Sequence, residues 1–300
     1  MINRVTQQTI QRSTLANMQT NLVRMSELQG QMSSGKNITK PSDDPAGAAR
    51  SMSLRSEQAA ATQASRNADD GIAWLGTTDT AMQSAIAALQ SARNLTVQGA
   101  STGSMGPAAR EAIATELDGI RDQLLDLANT TLQGRAVFAG TTGGGIAFTD
   151  GSAIPPYEWQ GTATATVERR LSPNSTVRVD TDGLAAFGEG ATSVFALIDS
   201  ISAELRGTSP NVTNSLDDID TKLEGMLSSV ANVGIRYKQV SEAQSSIAIK
   251  LQDATSSISS IEDIDLAETI MELKMQEVAY EGALGAAARV LQPTLMDYLR

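Results

Sequence analysis

The sequence predicts a mainly α-helical protein, with long coiled-coil helices at both ends, an α-helical rod-like domain between them and a small β-rich inserted domain. Three observations carry this reading. Apolar residues recur at spacings of three, four and seven near both termini, as on the seam of a coiled coil. The apolar fraction is 41%, drawn mainly from Ala, Leu, Ile, Val and Met, while aromatics are only 3%, a balance that suits long helices in close contact. A stretch rich in Gly, Thr and Pro, residues 140–190, breaks the helical pattern and carries the period-two alternation of strands.

Residues 5–32 read as the first helix, with Leu15, Met18, Leu22, Met25 and Met32 on its apolar stripe. Gly35 is the expected stop. Pro41, Ser42, Asp43, Asp44 and Pro45 then form a helix-restart motif. Asp44 can cap, Pro45 fits the first helical position, and Asp43 complements the helix dipole. Residues 46–98 continue as helix, and Gly103, Gly106 and Pro107 mark a turn. Residues 108–133 carry Ile113, Leu117, Ile120, Leu124 and Leu127 at helical spacing.

At Gly134 the character changes. Residues 162–167 and 176–179 alternate as strands do, and helical character returns near Ser193. Residues 215–291 read as helix. Ile247, Leu251, Ala254, Ile258 and Ile261 step by four, three, four and three, and a second register runs through Leu266, Ile270, Leu273, Tyr280, Leu284, Ala287 and Leu291. Pro293 ends this run, and Leu295, Met296, Tyr298 and Leu299 follow as an apolar tail.

The organisation is nested. Residues 1–40 and 262–300 form paired terminal helices, 41–138 and 192–261 a helical domain, and 139–191 the β-rich insertion. A stripe of roughly 28 residues makes a helix about 42 Å long. Such a rod buries little against a compact body and more against copies of itself or a related partner. Leu15, Met18, Leu22, Met25, Leu266, Ile270, Leu273, Leu284, Leu291, Leu295, Tyr298 and Leu299 are therefore the candidate assembly interface.

Composition excludes much chemistry. With no Cys and no His, disulfides, zinc–thiolate sites, Cys nucleophiles and His general bases are impossible. The net charge of −11 argues against nucleic acid and against an anionic membrane surface. The N-terminus has no apolar core of a cleaved secretory signal, and no stretch approaches the roughly 20 apolar residues of a membrane span. The expectation is a soluble chain, cytoplasmic unless a signal-independent route exports it.

Candidate sites resolve to structural roles. Asp43 and Asp44 fit helix capping better than a metal or acid–base pair, since no partner ligand sits nearby in sequence. Asp69-Asp70-Gly71 lacks the other positions of a calcium loop and reads as a solvated helix face. Gly140–Gly145 is followed by Ile146 and Ala147, where a phosphate loop needs Lys and Ser/Thr, so a turn is expected. Glu262, Asp263, Asp265, Glu268 and Glu272 read as one solvated helix face. Asn-x-Thr sequons such as Asn94-Leu95-Thr96 are what chance supplies in a polar, Thr-rich chain. No catalytic residue, cofactor or metal is expected.

The residues at both ends resemble bacterial flagellins and, more closely, the hook-associated protein 3 family of hook–filament junction proteins. Residues 34–38 (Ser-Gly-Lys-Asn-Ile) followed by 41–47 (Pro-Ser-Asp-Asp-Pro-Ala-Gly) are similar to the shared flagellin signature, and 89–98 to the helix that follows it. Residues 259–268 and 291–299 are similar to the closing helix, with Pro293-Thr294 standing where relatives carry Ser-Leu. Residues 134–141 (Gly-Arg-Ala-Val-Phe-Ala-Gly-Thr) and 157–161 (Tyr-Glu-Trp-Gln-Gly) resemble the junction proteins rather than the flagellins.

The resemblance implies a structural subunit, not an enzyme, exported through the flagellum's own type III apparatus without a cleaved signal. It implies extracellular assembly in a ring of copies, with the paired terminal helices forming the inner tube. The implied partners are the hook-side junction protein, flagellin and a flagellar export chaperone. The readings set beside it are a minor flagellin, a cytoplasmic signalling coiled coil and a carboxylate enzyme.

Overall fold

The computed structural model describes residues 7–100, 106–162, 166–207 and 212–290. In chain order the elements are α1 (Gln7–Ser34), α2 (Pro45–Ala100), α3 (Pro107–Ala128), β1 (Thr131–Leu132), β2 (Arg135–Ala136), β3 (Glu168–Ser172), β4 (Ser175–Arg178), α4 (Gly183–Phe187), α5 (Val194–Arg206), α6 (Thr213–Glu262) and α7 (Leu266–Val290), with a 3-10 turn at Gly190–Thr192. The fold is mainly helical, as expected, with two small antiparallel sheets, β1–β2 and β3–β4. The chain divides into two compact units: Met1–Ala60 with Lys250–Arg300, and Ala61–Ile249.

The middle unit is built on one core. Ala68, Leu75, Met82, Ala85, Leu89 and Ala92 of α2 are buried at helical spacings. On α6, Ile219, Met226, Val233 and Val240 recur every seven residues and are fully buried or nearly so, a heptad seam along the helix. Helices α3 and α5 pack on each other, with Ile113, Leu117 and Leu124 facing the same core as Ile198, Ile201 and Leu205. Ser193 caps α5 by accepting the Ala196 amide at 3.1 Å.

The few aromatics are concentrated in this core. The Phe187 ring meets Phe138 edge-on at 5.2 Å, Phe148 at 5.7 Å and stacks on Phe195 at 5.9 Å. Tyr157 leans on Phe195 and donates its hydroxyl to Asp199 at 2.5 Å, beside the Arg121–Asp199 pair. Burial and that hydrogen bond push the Tyr157 phenol above its ordinary pKa. The β-rich segment therefore shares a core with α2, α3, α5 and α6.

In the middle unit the element bounds differ from the sequence expectation at the end of α3 and at the start of β3. Helix α3 ends at Ala128, and the end of the segment expected as helix to residue 133 turns into the β1–β2 hairpin. Gln133 (φ 53°) and Gly134 (φ 78°) form its two-residue turn, and left-handed backbone at both central positions matches the twist of paired strands. Among the described residues the first strand of the insertion is β3 at 168–172; of the segment expected as a strand at 162–167, residues 163–165 lie outside the described residues. Asp180 explains the start of β3. Its Oδ1 accepts the Val167 amide at 2.8 Å, taking that donor out of the ladder, and its carboxylate accepts Arg178 at 2.8 Å. Arg236 of α6 donates to the Asp180 carbonyl at 2.8 Å, which ties the hairpin to the helical core.

Asp69 and Asp70 lie within α2, and each has a partner. Asp70 accepts Arg169 of β3 at 2.5 Å and Asp69 accepts Gln244 of α6 at 2.6 Å, so the pair fastens two neighbours rather than facing solvent alone. Residues 140–145 form a turn and loop, with Gly140 at φ 61°.

Candidate assembly interface

The terminal unit consists of α1, the start of α2, the end of α6 and α7. Gly35, at φ 69°, ends α1, with its amide donating to the Gln31 carbonyl at 2.8 Å; a left-handed glycine just past the last turn is a common helix stop. In the turn that follows, Asp43 Oδ2 accepts the amides of Thr39 (3.1 Å) and Lys40 (2.8 Å) and the Thr39 hydroxyl (2.9 Å). These donors hold its pKa below the ordinary carboxylate value. Asp44 Oδ1 accepts the Ala46 amide at 3.1 Å, and Pro45 opens α2. Asp43 thus fastens the turn before the helix, and Asp44 is the cap.

The region expected as continuous helix over 215–291 is broken at residues 263–265. Asp265 restarts the chain as α7: its Oδ1 accepts the amides of Ala267 (2.9 Å) and Glu268 (3.2 Å). The change of apolar register between Ile261 and Leu266 is the trace of this break in the sequence. The two interruptions lie side by side. Lys36 and Asp263 form an antiparallel bridge, the Asn37 amide donates to the Glu262 carbonyl at 2.6 Å, and the Ile264 amide donates to the Gly35 carbonyl at 3.2 Å.

Glu262 sits at the centre of this joint and is only 7% exposed. Arg55 grips it with two hydrogen bonds of 3.0 and 2.7 Å, Ser51 donates to it, and Lys36 reaches it at 3.2 Å. Arg55 above all, then Ser51, lowers its pKa to about 2 against the burial that would raise it. The acidic run is therefore not one solvated face. Glu262 is a buried acceptor, Asp263 pairs with Lys36 at 2.7 Å, Asp265 is a cap, and Glu272 meets Arg24 at 3.3 Å on the exposed edge of the α1–α7 pair. Sequence reading missed this because the partners of Glu262 lie more than two hundred residues away.

Helix α1 packs on α7. Leu28 of α1 and Thr269, Leu273 and Ala287 of α7 are buried, Met18, Met25 and Tyr280 are half-buried, and Gln276 donates to the Asn21 carbonyl at 3.3 Å. Of the interface residues expected from sequence, Leu273 is closed into this seam. Leu15, Leu22, Leu266, Ile270 and Leu284 remain exposed beside it. Leu291, Leu295, Tyr298 and Leu299 lie outside the described residues.

On its far side α7 carries a second apolar stripe that sequence reading overlooked. Met271, Met275 and Val278, spaced by four and three, are 62%, 67% and 69% exposed. At about 100° per residue they point roughly opposite to Leu273, Tyr280 and Ala287. The period was visible in the sequence, but the a/d register through Leu273 masked it. A helix with one apolar face buried and a second left open is expected where a neighbour completes the packing.

Among the described residues no helix is long and apolar enough to cross a membrane, and no group of three or more His, Cys, Asp or Glu is placed to hold a metal ion.

The terminal helix pair therefore has one packed and one open apolar face. The chain carries a flagellin-type region: residues 5–142 match the bacterial flagellin N-terminal helical region. Over most of its length it is similar to flagellar hook-associated protein 3 of Escherichia coli, 27% identical over 280 residues that cover 85% of this chain and 87% of that protein. A flagellin of Bacillus subtilis is 23% identical over 273 residues, 87% of each chain. A solved chain from Vibrio parahaemolyticus assigned as a flagellar hook-associated protein has the same fold, with TM-score 0.66 and 22% identity, covering 74% of this chain and all of that one.

Proposed function

We propose that the chain is a structural subunit of the bacterial flagellum, acting as the junction between hook and filament. The observation that carries this is the open stripe Met271–Met275–Val278 on a helix already packed on its other side. In a chain that resembles hook-associated protein 3 along most of its length, such a face is an assembly contact. Buried apolar side chains contribute about 1.5–3 kcal/mol each, so a stripe of this size can decide whether a subunit stays in place.

The finer reading is a ring of copies between the hook-side junction protein and the flagellin filament. The subunit reaches its extracellular place through the flagellar export route, with an export chaperone. The apolar tail, Leu295, Met296, Tyr298 and Leu299, extends the same assembly region. The second reading, a minor flagellin, is favoured by the similarity to the Bacillus subtilis flagellin.

Removing the gene tests the proposal. Cells should keep hooks, lose filaments and release flagellin into the medium, as read by electron microscopy and a culture-supernatant blot. The full chain should restore filaments, and a chain lacking residues 292–300 should be exported but fail to do so. Filaments of normal length without the gene would overturn the junction role. Thousands of copies along purified filaments would establish the minor flagellin instead.

A further inference from the structure

The chain has no Cys, so the thioethers of its 11 Met residues are its only sulfur. Those among the described residues differ widely in access. Met82 and Met226 are fully buried in the middle unit. Met18, Met25 and Met32 are half-buried on α1. Met52, Met271 and Met275 are 69%, 62% and 67% exposed. A thioether has no proton to lose near neutral pH, so its reaction with an oxidant is governed by access to the sulfur. Exposed methionines therefore react before packed ones.

Met271 and Met275 differ from Met52 in their placement. They stand four residues apart, about one helical turn, on the side of α7 turned away from Leu273. Two oxidised groups there act on the same surface. The buried side chains between α1 and α7, Leu28, Leu273 and Ala287, lie on the other side and carry no sulfur. The polarity of the outer face can thus change while the helix pair stays closed.

We infer that Met271 and Met275 form an oxidation site, whose sulfoxides turn the outer face of α7 from apolar to polar without unfolding the chain. The reagent is a hydroperoxide. A sulfur lone pair attacks one peroxide oxygen, the S–O bond forms and the O–O bond breaks. Sulfur is oxidised by two electrons. The peroxide is reduced to water or an alcohol, which takes up the proton of the transferred oxygen. The product is polar where the thioether was apolar, and sulfoxide reductases reverse the change. The consequence for assembly rests on the junction reading above. A surface that packs on thioethers would have to bury sulfoxide oxygens without partners, which is unfavourable. Oxidation of the free subunit keeps it out of the flagellum, and reduction readmits it.

The test uses the purified full chain, treated with graded hydrogen peroxide and mapped by peptide mass spectrometry. Met271 and Met275 should oxidise at least about tenfold faster than Met82 and Met226. The urea midpoint should be unchanged once the pair is fully oxidised. The treated chain is then offered to hooks isolated from cells lacking the gene, and the retained fraction is read by sedimentation. Retention should fall several-fold on oxidation and return after treatment with methionine sulfoxide reductases for both epimers. The double variant Met271→Leu with Met275→Leu is compared with itself before and after peroxide. Its retention should not change on treatment, whatever its starting level, although its Met52 is still oxidised. Rates at Met271 and Met275 no faster than at Met82 and Met226, or a urea midpoint that falls as the pair is oxidised, would overturn the site. Undiminished retention of the oxidised chain, or an equal loss in the double variant, would overturn its effect on assembly. If hooks do not retain even the untreated chain, it is the junction reading that fails, and the mass and urea readouts still decide the oxidation site.

Discussion

The two units of the chain spend their apolar residues in different ways. The middle unit holds all four Phe and both Trp, and side chains along α2, α3, α5 and α6 reach complete burial. In the terminal unit the buried apolar set among the described residues is Leu28, Ala254, Ile258, Leu273 and Ala287, while Leu15, Leu22, Val23, Met52, Met271, Met275 and Val278 are exposed. The middle unit closes its core with its own residues. The terminal unit buries few apolar side chains, along the α1–α7 pair and on the end of α6, and leaves several large ones exposed. The difference separates a self-closed core from a unit with open apolar faces.

The sharpest way to break the contrast is to damage each unit and compare the outcomes. Phe195→Ala removes a ring that touches Phe148, Tyr157 and Phe187, and should destabilise the middle unit by about 3–5 kcal/mol in urea denaturation. A smaller loss would mean that this core is less tightly closed than its burial implies.

Next in size is Glu262→Gln, which should cost the terminal unit about 1.5–3 kcal/mol, since hydrogen bonds to a charged group are lost and Arg55 is left without its carboxylate. The effect has a pH signature. The folded pKa of Glu262, about 2, lies below its ordinary 4.5. The ionised form therefore stabilises the fold fully above about pH 4.5, and this contribution is lost as pH falls through about 2. The wild type should lose stability across that window, and the Gln variant should lose less. Equal slopes for both proteins in acid denaturation would remove Glu262 from its central role.

Asp44→Ala should cost about 1 kcal/mol through the lost cap on α2, read as a lower urea midpoint with an unchanged slope. The smallest effect on the isolated chain is expected from Met271→Ser combined with Met275→Ser. Both side chains are more than half exposed, so the change in monomer stability should stay within about 0.5 kcal/mol. Filament attachment should nevertheless be lost. A large loss of monomer stability from this pair would erase the distinction between the units.

What could be read from the sequence follows the range of the interaction. Helix existence was legible because each apolar period lies within a few residues, and the seam through Ile247 and Ala254 extends back through Val240, Val233, Met226 and Ile219 in the same step of seven. The cap at Asp44 was legible because donor and acceptor are two residues apart. The β1–β2 turn was half legible: Gly134 marked a change, but nothing local says that Gln133 would also take a left-handed backbone. The joint was not legible. Glu262 looks like any acid in an acidic run until Ser51, Arg55 and Lys36 arrive from the other end of the chain. The second stripe on α7 was present as a period but was hidden by the stronger register beside it.

The bridge between Lys36 and Asp263 has a consequence for how such sequences can vary. It fixes α1 and α7 in register at one level, although the two segments are separated by more than two hundred residues of chain. Adding one residue within the α1 or α7 stretch of the pair would rotate everything beyond it by about 100° and advance it by about 1.5 Å. Leu273 and Leu28 would then leave their seam together with every apolar neighbour further along. The number of residues in these helices is therefore constrained in its own right, independent of which residues they are. The exposed loop around Ile154, by contrast, can lengthen or shorten without disturbing any register. Among descendants of this gene, length changes should accumulate in the middle of the chain and be purged from its ends, even where the end residues themselves drift.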